Sequence, residues 1–393
     1  MARISRRLDR IPGSATLAIS TRAREMRAEG RDVISFGAGE PDFPTPAHIV
    51  DAAKRAADDS STHHYSANAG LMPLREAIVG YTARYSGITV EPGQILTTNG
   101  AKQAIFQAFA ALLDPGDEVL LPAPHWVTYP SGIDLAGGVT VSVPTEMADG
   151  FKVTVDDLER HRSARTKLLV FVSPSNPTGS VYTPEEALAI GTWAAENDVW
   201  VIADEIYQRL VYGDGESAAS IASVTPELEN VLLINGVAKS FAMTGWRVGW
   251  MIGPEDVIGA AARHQSHTTG NVNNVAQMAA LAALNGPQDT VVAMRDAFDK
   301  RRRMMVEMLA AAEGVSLYEP QGAFYVFPGV ADLLGGAYPT AAALAEGLLE
   351  EAGIAVVPGE SFGAPGHLRL SYALSDDDLE RGVSRMLDMF GTL

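Results

Sequence analysis

From residue 94 onward, short apolar runs alternate with longer stretches of helical period. Residues 94–98, 118–121, 139–143, 168–173, 199–203, 231–235 and 248–252 are candidate strands, most of them rich in valine, isoleucine and leucine with little polar alternation. That pattern belongs to strands covered on both faces. Between them, residues 102–113 and 184–196 place apolar positions at helical spacing. Strands alternating with helices predict an α/β fold: a seven-stranded, mainly parallel sheet with helices on both faces.

The rhythm changes after Gly286-Pro287. Residues 290–312 read as one long helix whose charged run Lys300-Arg301-Arg302-Arg303 is expected to face solvent or a second subunit. Short strands follow at 322–327, 354–357 and 367–371, with a helix at 341–352, the pattern of a smaller α+β domain. The expected organisation is an N-terminal arm packing on the small domain (1–45), a large domain (46–288) and a small C-terminal domain (289–393).

The 393 residues are enough for a large core, and 47% hydrophobic with 20% charged residues is an ordinary globular balance. A net charge of −18 counts against nucleic acid or an anionic membrane surface as partner. Without cysteine, disulfides and thiolate metal sites are excluded. No apolar run follows the early arginines and none approaches a membrane span, so a solvated arm and a cytoplasmic location are expected.

Several apparent motifs carry no chemistry. Gly359-Glu360-Ser361-Phe362-Gly363 fits the hydrolase pattern, but Ala364-Pro365-Gly366 cannot start the helix that pattern needs. Gly37-Ala38-Gly39 lacks the context of a dinucleotide fingerprint. The eight histidines show no metal-ligand spacing, so no metal is expected.

Four segments at or just after carboxyl ends of predicted strands form a constellation where open α/β sheets bind ligands. Ser173–Gly179 contains Asn176-Pro177, a candidate cis bond in a turn that would aim the Asn176 amide. Asp204-Glu205-Ile206-Tyr207 places an acid where it serves either as a helix cap or as the partner of a cationic ring. Lys239 lies in an apolar turn, where desolvation makes an amine nucleophilic and able to form a Schiff base, and Arg247 follows, placed to pair with a phosphate. Gly100-Ala101-Lys102 opens a helix whose first N–H groups can hold a phosphate. Each segment alone also reads as an ordinary turn, cap or exposed cation.

Taken in order, these segments resemble the class I aminotransferases that carry pyridoxal 5′-phosphate on the fold-type I scaffold, within them the aspartate aminotransferases of the thermophile-type subgroup. The resemblance also covers Ser14-Ala15-Thr16, Gly39–Phe43, Tyr65, Pro124-His125-Trp126, Gly322–Tyr325 and Arg369–Tyr372. It implies that Lys239 bonds the cofactor and shuttles the proton, and that Asp204 pairs with the ring nitrogen. Asn176 and Tyr207 would bond the ring hydroxyl, and Trp126 would stack on the ring. Gly100, Ala101, Lys102, Arg247 and a partner subunit's Tyr65 would hold the phosphate. Arg369, with Gly39, would grip the substrate α-carboxylate, and Ser14, Thr16 and Lys102 would meet a distal carboxylate. The implied assembly is a homodimer with shared active sites, acting on amino acids and 2-oxo acids. The pattern departs at Gly236, where many relatives carry serine although the subgroup also shows glycine, at His125 for a frequent tyrosine, at Gly270 for a hydroxyl residue, and at Asn68-Ala69-Gly70, which lacks a common proline.

The resemblance implies aspartate:2-oxoglutarate amino transfer by a ping-pong mechanism. Transfer involving prephenate, aromatic or alanine substrates and a β-lyase use the same scaffold. A non-catalytic DNA-binding regulator is disfavoured by the charge and by the short N-terminal segment.

Overall fold

A computed structural model describes residues 4–9, 11, 13, 15–225 and 229–393, with the side chains of 6, 7 and 15–17 outside that description. Seven strands form the main sheet: β2 (Ile95–Thr98), β3 (Glu118–Ala123), β4 (Val139–Pro144), β5 (Thr166–Val172), β6 (Trp200–Asp204), β7 (Val231–Gly236) and β8 (Gly249–Ile252). Its order is β2-β8-β7-β6-β5-β3-β4, and β8 alone runs antiparallel to its neighbours. The sheet is therefore mainly parallel and helix-covered, as the apolar runs predicted.

Both faces are buried, which explains the weak alternation. Val201 and Ala203 of β6 point into one core with Trp193 and Trp250; Ile202 between them points into the other with Phe109 and Met251. The register brings Val172, Asp204 and Ile234 level across β5, β6 and β7. The turns that follow these strands, carrying Asn176, Tyr207 and Lys239, thus emerge side by side.

A third core gathers Met294, Phe298, Met305 and Leu309 of the helix Asp289–Ala310 with Tyr325, Leu370 and Val383. The short strand β1 (Ile34–Ser35) pairs in parallel with β10 (Ile354–Ala355), while β11 (Val357–Pro358) and β9 (Tyr325–Val326) flank β12 (Leu368–Ser371). The single strand expected at 354–357 is thus two, because each half pairs with a different neighbour. The strand expected at 322–327 shortens to β9, beginning after Ala323, whose φ is 58°.

The basic run in the long helix needs correction. Lys300 and Arg303 are exposed, but Arg301 and Arg302 are only 8% and 9% exposed. Arg301 bonds Asp42 at 2.9 Å and Asp376 at 2.8 Å; Arg302 bonds Asp299 at 2.7 Å and Glu319 at 2.5 Å. Helical period turns two of four adjacent cations inward, where burial requires such partners. Gly359–Phe362 is a short 3₁₀ turn, not a strand-to-helix elbow.

Candidate active site

A cavity of about 550 Å³ opens at the carboxyl edge of the sheet. Gly39, Ala101, Lys102, Trp126, Asn176, Asp204, Tyr207, Lys239, Arg247 and Arg369 all line it. Residues drawn from positions 39 to 369 therefore converge on one space.

Lys239 follows β7 and directs its Nζ to the carbonyl of Gly39. Burial, then the Arg369 charge, lowers its ammonium to about 8. The rings of Tyr207 and Phe324 lie 5.7 and 5.6 Å from that nitrogen. An amine so placed is partly neutral near physiological pH and can act as nucleophile or base.

Asp204 ends β6 and is buried. Its Oδ2 accepts from the Tyr129 hydroxyl at 2.7 Å and its Oδ1 from the Ile206 N–H at 3.1 Å. Burial pushes its pKa above the ordinary carboxylate value, and the two bonds oppose the rise. Tyr207 pairs with Tyr325 at 2.9 Å between hydroxyls; burial, then Tyr325, holds it well above the ordinary phenol value.

Asn176 precedes a cis Pro177, as the turn pattern suggested. Its Oδ1 accepts from Arg369 Nη1 at 3.1 Å, which leaves its amide N–H groups for another partner. Arg369 is 2% exposed and spends Nη2 on the Gly37 carbonyl at 2.9 Å. Its Nε is buried with no hydrogen-bond partner among the described residues. Tyr325 lies 4.5 Å under the guanidinium. A buried arginine with no carboxylate partner among the described residues suits an incoming carboxylate.

The opposite end of the cavity is cationic. Gly100 caps the helix Ala101–Leu112 at φ 84°, ψ 164°, a backbone shape for glycine. A Cβ there would lie 2.5 Å from Arg247 Nη2, and one at Gly249 would lie 2.6 Å from the Ala101 nitrogen. Both glycines let the guanidinium and the helix N-terminus approach each other, a natural place for a phosphate. Lys102 lies 5.0 Å over the Trp126 ring, its ammonium lowered by desolvation and then by Arg247.

Three expected positions stand apart. Tyr65 is 98% exposed and does not line this cavity. Ser14 and the Thr16 side chain lie outside the described residues. Tyr129 and Ser20 line the cavity outside the segments that the sequence pointed to, and Glu40 and Tyr325 line it from segments to which no role had been attached at those positions. Tyr129 was legible in principle, since it falls three residues after Trp126 in the turn that opens a helix, where its N–H bonds the Trp126 carbonyl at 3.2 Å.

The profile of aminotransferase class I and II matches residues 31–386. The chain belongs to the class I and II aminotransferases. It is 56% identical over 390 residues to an aspartate aminotransferase of Streptomyces avermitilis, covering 98% of this chain and 95% of that one. It is 43% identical over 394 residues to an aspartate/prephenate aminotransferase of Cereibacter sphaeroides, with 98% of each covered. The structure of Thermus thermophilus aspartate aminotransferase with maleate superposes with a TM-score of 0.93 at 41% identity, covering 99% of this chain and 100% of that one.

In this aminotransferase, the backbone gives a reason for glycine at two of the positions where the sequence leaves the expected pattern. A Cβ at Gly236 would come within 3.0 Å of Gly249 Cα and the Val248 carbonyl, so β7 and β8 exclude a side chain without adjustment. Gly270 has φ 70°, which favours glycine.

Proposed function

We propose that this aminotransferase is a pyridoxal 5′-phosphate enzyme that transfers the amino group of aspartate to 2-oxoglutarate, working as a cytoplasmic homodimer. The observation that carries the reading is the alignment, in one cavity, of a depressed lysine ammonium, a buried carboxylate and a buried arginine with a spare N–H. The donor set fits the cofactor. Lys239 would bond its aldehyde carbon, Asp204 would face its ring nitrogen, Asn176 and Tyr207 would serve its ring hydroxyl, and Trp126 would cover its face. Ala101, Lys102 and Arg247 would hold its phosphate beside Gly100, with a partner subunit's Tyr65 completing that end. Bound there, the ring supplies an electron sink for negative charge left at the substrate carbon.

The protein's own groups do the rest. Arg369 takes the substrate α-carboxylate through two N–H donors, and Gly39 assists through its backbone. Lys239 would be the base that removes the substrate's Cα proton and the acid that returns it at the cofactor's aldehyde carbon. Asp204 stays ionised so that the ring nitrogen keeps its proton. Lys102 is the cation for a distal carboxylate, with Ser14 and Thr16 assigned to the same group. The presence of maleate, a dicarboxylate, in the Thermus structure supports this choice.

Borohydride reduction of the holoenzyme should fix the cofactor on Lys239 by peptide mapping; an adduct elsewhere refutes the assignment. In a panel of amino donors, aspartate should lead, and Lys102→Ala should reduce kcat/KM for aspartate more than for alanine. Equal losses would remove Lys102 from specificity. Prephenate is the second acceptor to assay, because the Cereibacter relative carries that name.

A further inference from the structure

We propose that Tyr129 is a positioning residue: its hydroxyl holds the buried Asp204 carboxylate in its ionised form and thereby sets how firmly that acid keeps a proton on the cofactor's ring nitrogen. The inference rests on the assignment of Asp204 to that nitrogen.

Two observations carry it. The first is the bond itself. Tyr129 Oη donates to Asp204 Oδ2 at 2.7 Å, and both side chains are buried. The other carboxylate oxygen takes only a backbone donor, the Ile206 N–H at 3.1 Å. Tyr129 is thus the one side-chain donor recorded for this acid among the described residues. Charge-assisted bonds of this kind are the strong ones, and burial removes competing water.

The second is the place of Tyr129 on its helix. Residues Thr128–Leu135 begin just after Trp126, and the Tyr129 ring meets the Trp126 ring edge-on at 5.4 Å and 83°. One turn, closed by the Tyr129 N–H donating to the Trp126 carbonyl at 3.2 Å, therefore carries both the wall assigned to the cofactor's face and the tether of its acid. The ring's packing needs no hydroxyl, since phenylalanine fills the same volume. A hydroxyl buried here would cost stability without an acceptor, and Asp204 is its acceptor.

The charged and titratable groups around Asp204 come from every neighbouring element. Tyr129 faces it from this helix, Glu205 and Tyr207 from its own strand and turn, and Lys239 from the turn after β7. Burial and Asp204 hold the Tyr129 hydroxyl well above the ordinary phenol value, so it remains a donor rather than becoming a second anion. Removing it leaves the carboxylate with its backbone donor alone, and the proton shared with the ring then shifts toward the acid. A less cationic ring is a weaker electron sink and raises the pH at which the lysine–cofactor bond loses its proton.

The test uses the holoenzyme and two readouts: the pH midpoint of the visible absorbance transition of bound cofactor, and steady-state rates. In Tyr129→Phe the midpoint should rise by about half a unit or more. kcat should fall about tenfold or more, as for loss of a hydrogen bond to a charged group, with KM for the amino donor within about twofold. A monofluorinated tyrosine at position 129, a stronger donor of nearly the same shape, should move the midpoint downward. Ile133→Val, on the same helix and in the same core, should leave it in place. An unmoved midpoint in the phenylalanine protein overturns the inference, as does an equal shift in Ile133→Val. Should Tyr129→Phe not fold, an unmoved midpoint with the fluorinated residue overturns it equally. A wild-type protein that develops no visible band on adding cofactor refutes the cofactor reading itself, a separate outcome from a band whose midpoint does not respond.

Discussion

At the scale of residues, ionisable groups beside the cavity make definite statements about pH. Lys239 titrates near 8, so capture of an aldehyde by the cofactor-free protein should accelerate through pH 7 and level off above about pH 8. Stopped-flow absorbance checks this; a rate still climbing toward pH 10 would mean the amine is not desolvated. Glu205, beside Asp204, is raised by burial to about 8, and its Oε1 accepts from Ser220 at 2.6 Å. An unfolded glutamate ionises near 4.3. The folded acid retains its proton after the unfolded one has lost it, so its contribution to stability is full below about pH 4.3 and lost as pH rises to about 8. Glu205→Gln should therefore melt higher than the wild type at pH 8, with the gap closing toward pH 5 in thermal scans. A gap independent of pH would contradict the burial of a neutral acid. The sequence made Asp204 and Lys239 legible because each follows an apolar strand. Glu205 escaped because an acid next to an acid reads as surface charge unless the turn that buries it is known.

At the scale of elements, the cationic end of the cavity depends on a glycine that begins a helix. Gly100→Ala would hold alanine at φ 84°, ψ 164°, a region nearly restricted to glycine, and crowd Arg247. The expected cost is about 1–3 kcal/mol of stability and at least about tenfold weaker cofactor binding by fluorescence titration. Unchanged affinity would separate this turn from the phosphate. The long helix makes a parallel case. Arg301→Met breaks a buried pair and should lose about 3 kcal/mol in urea unfolding, whereas the exposed Arg303→Ala should stay within about 0.5 kcal/mol. Equal effects would contradict the inward turn of Arg301. Here sequence reading failed for a physical reason: period 3.6 splits any run of four cations between two faces, but only the partners Asp42 and Asp376, far away in the chain, decide which face is buried.

At the scale of the whole molecule, the sheet was readable because its central strands are apolar on both sides, while its order was not, since the insertion of β8 between β2 and β7 is set by long-range pairing. Tyr65, 98% exposed here, belongs by proposal to a neighbouring subunit's site. That predicts complementation. Mixed dimers of Lys239→Ala and Tyr65→Ala chains gather both defects in one site and leave the other whole. Co-expression should recover activity above either parent, up to about half of the wild type per mixed dimer; a monomer by sedimentation, or no recovery, would count against shared sites.

The pairing of β1 with β10 has a mechanical consequence. Phe36 also accepts from the Ser371 N–H at 2.8 Å, and Gly37 accepts from Arg369. Three residues on, the same strip ends at the Gly39 carbonyl that meets Lys239. The guanidinium that would seize a substrate and the carbonyl that tethers the reactive amine are thus bolted to one rail, and a pull on either is delivered to the other.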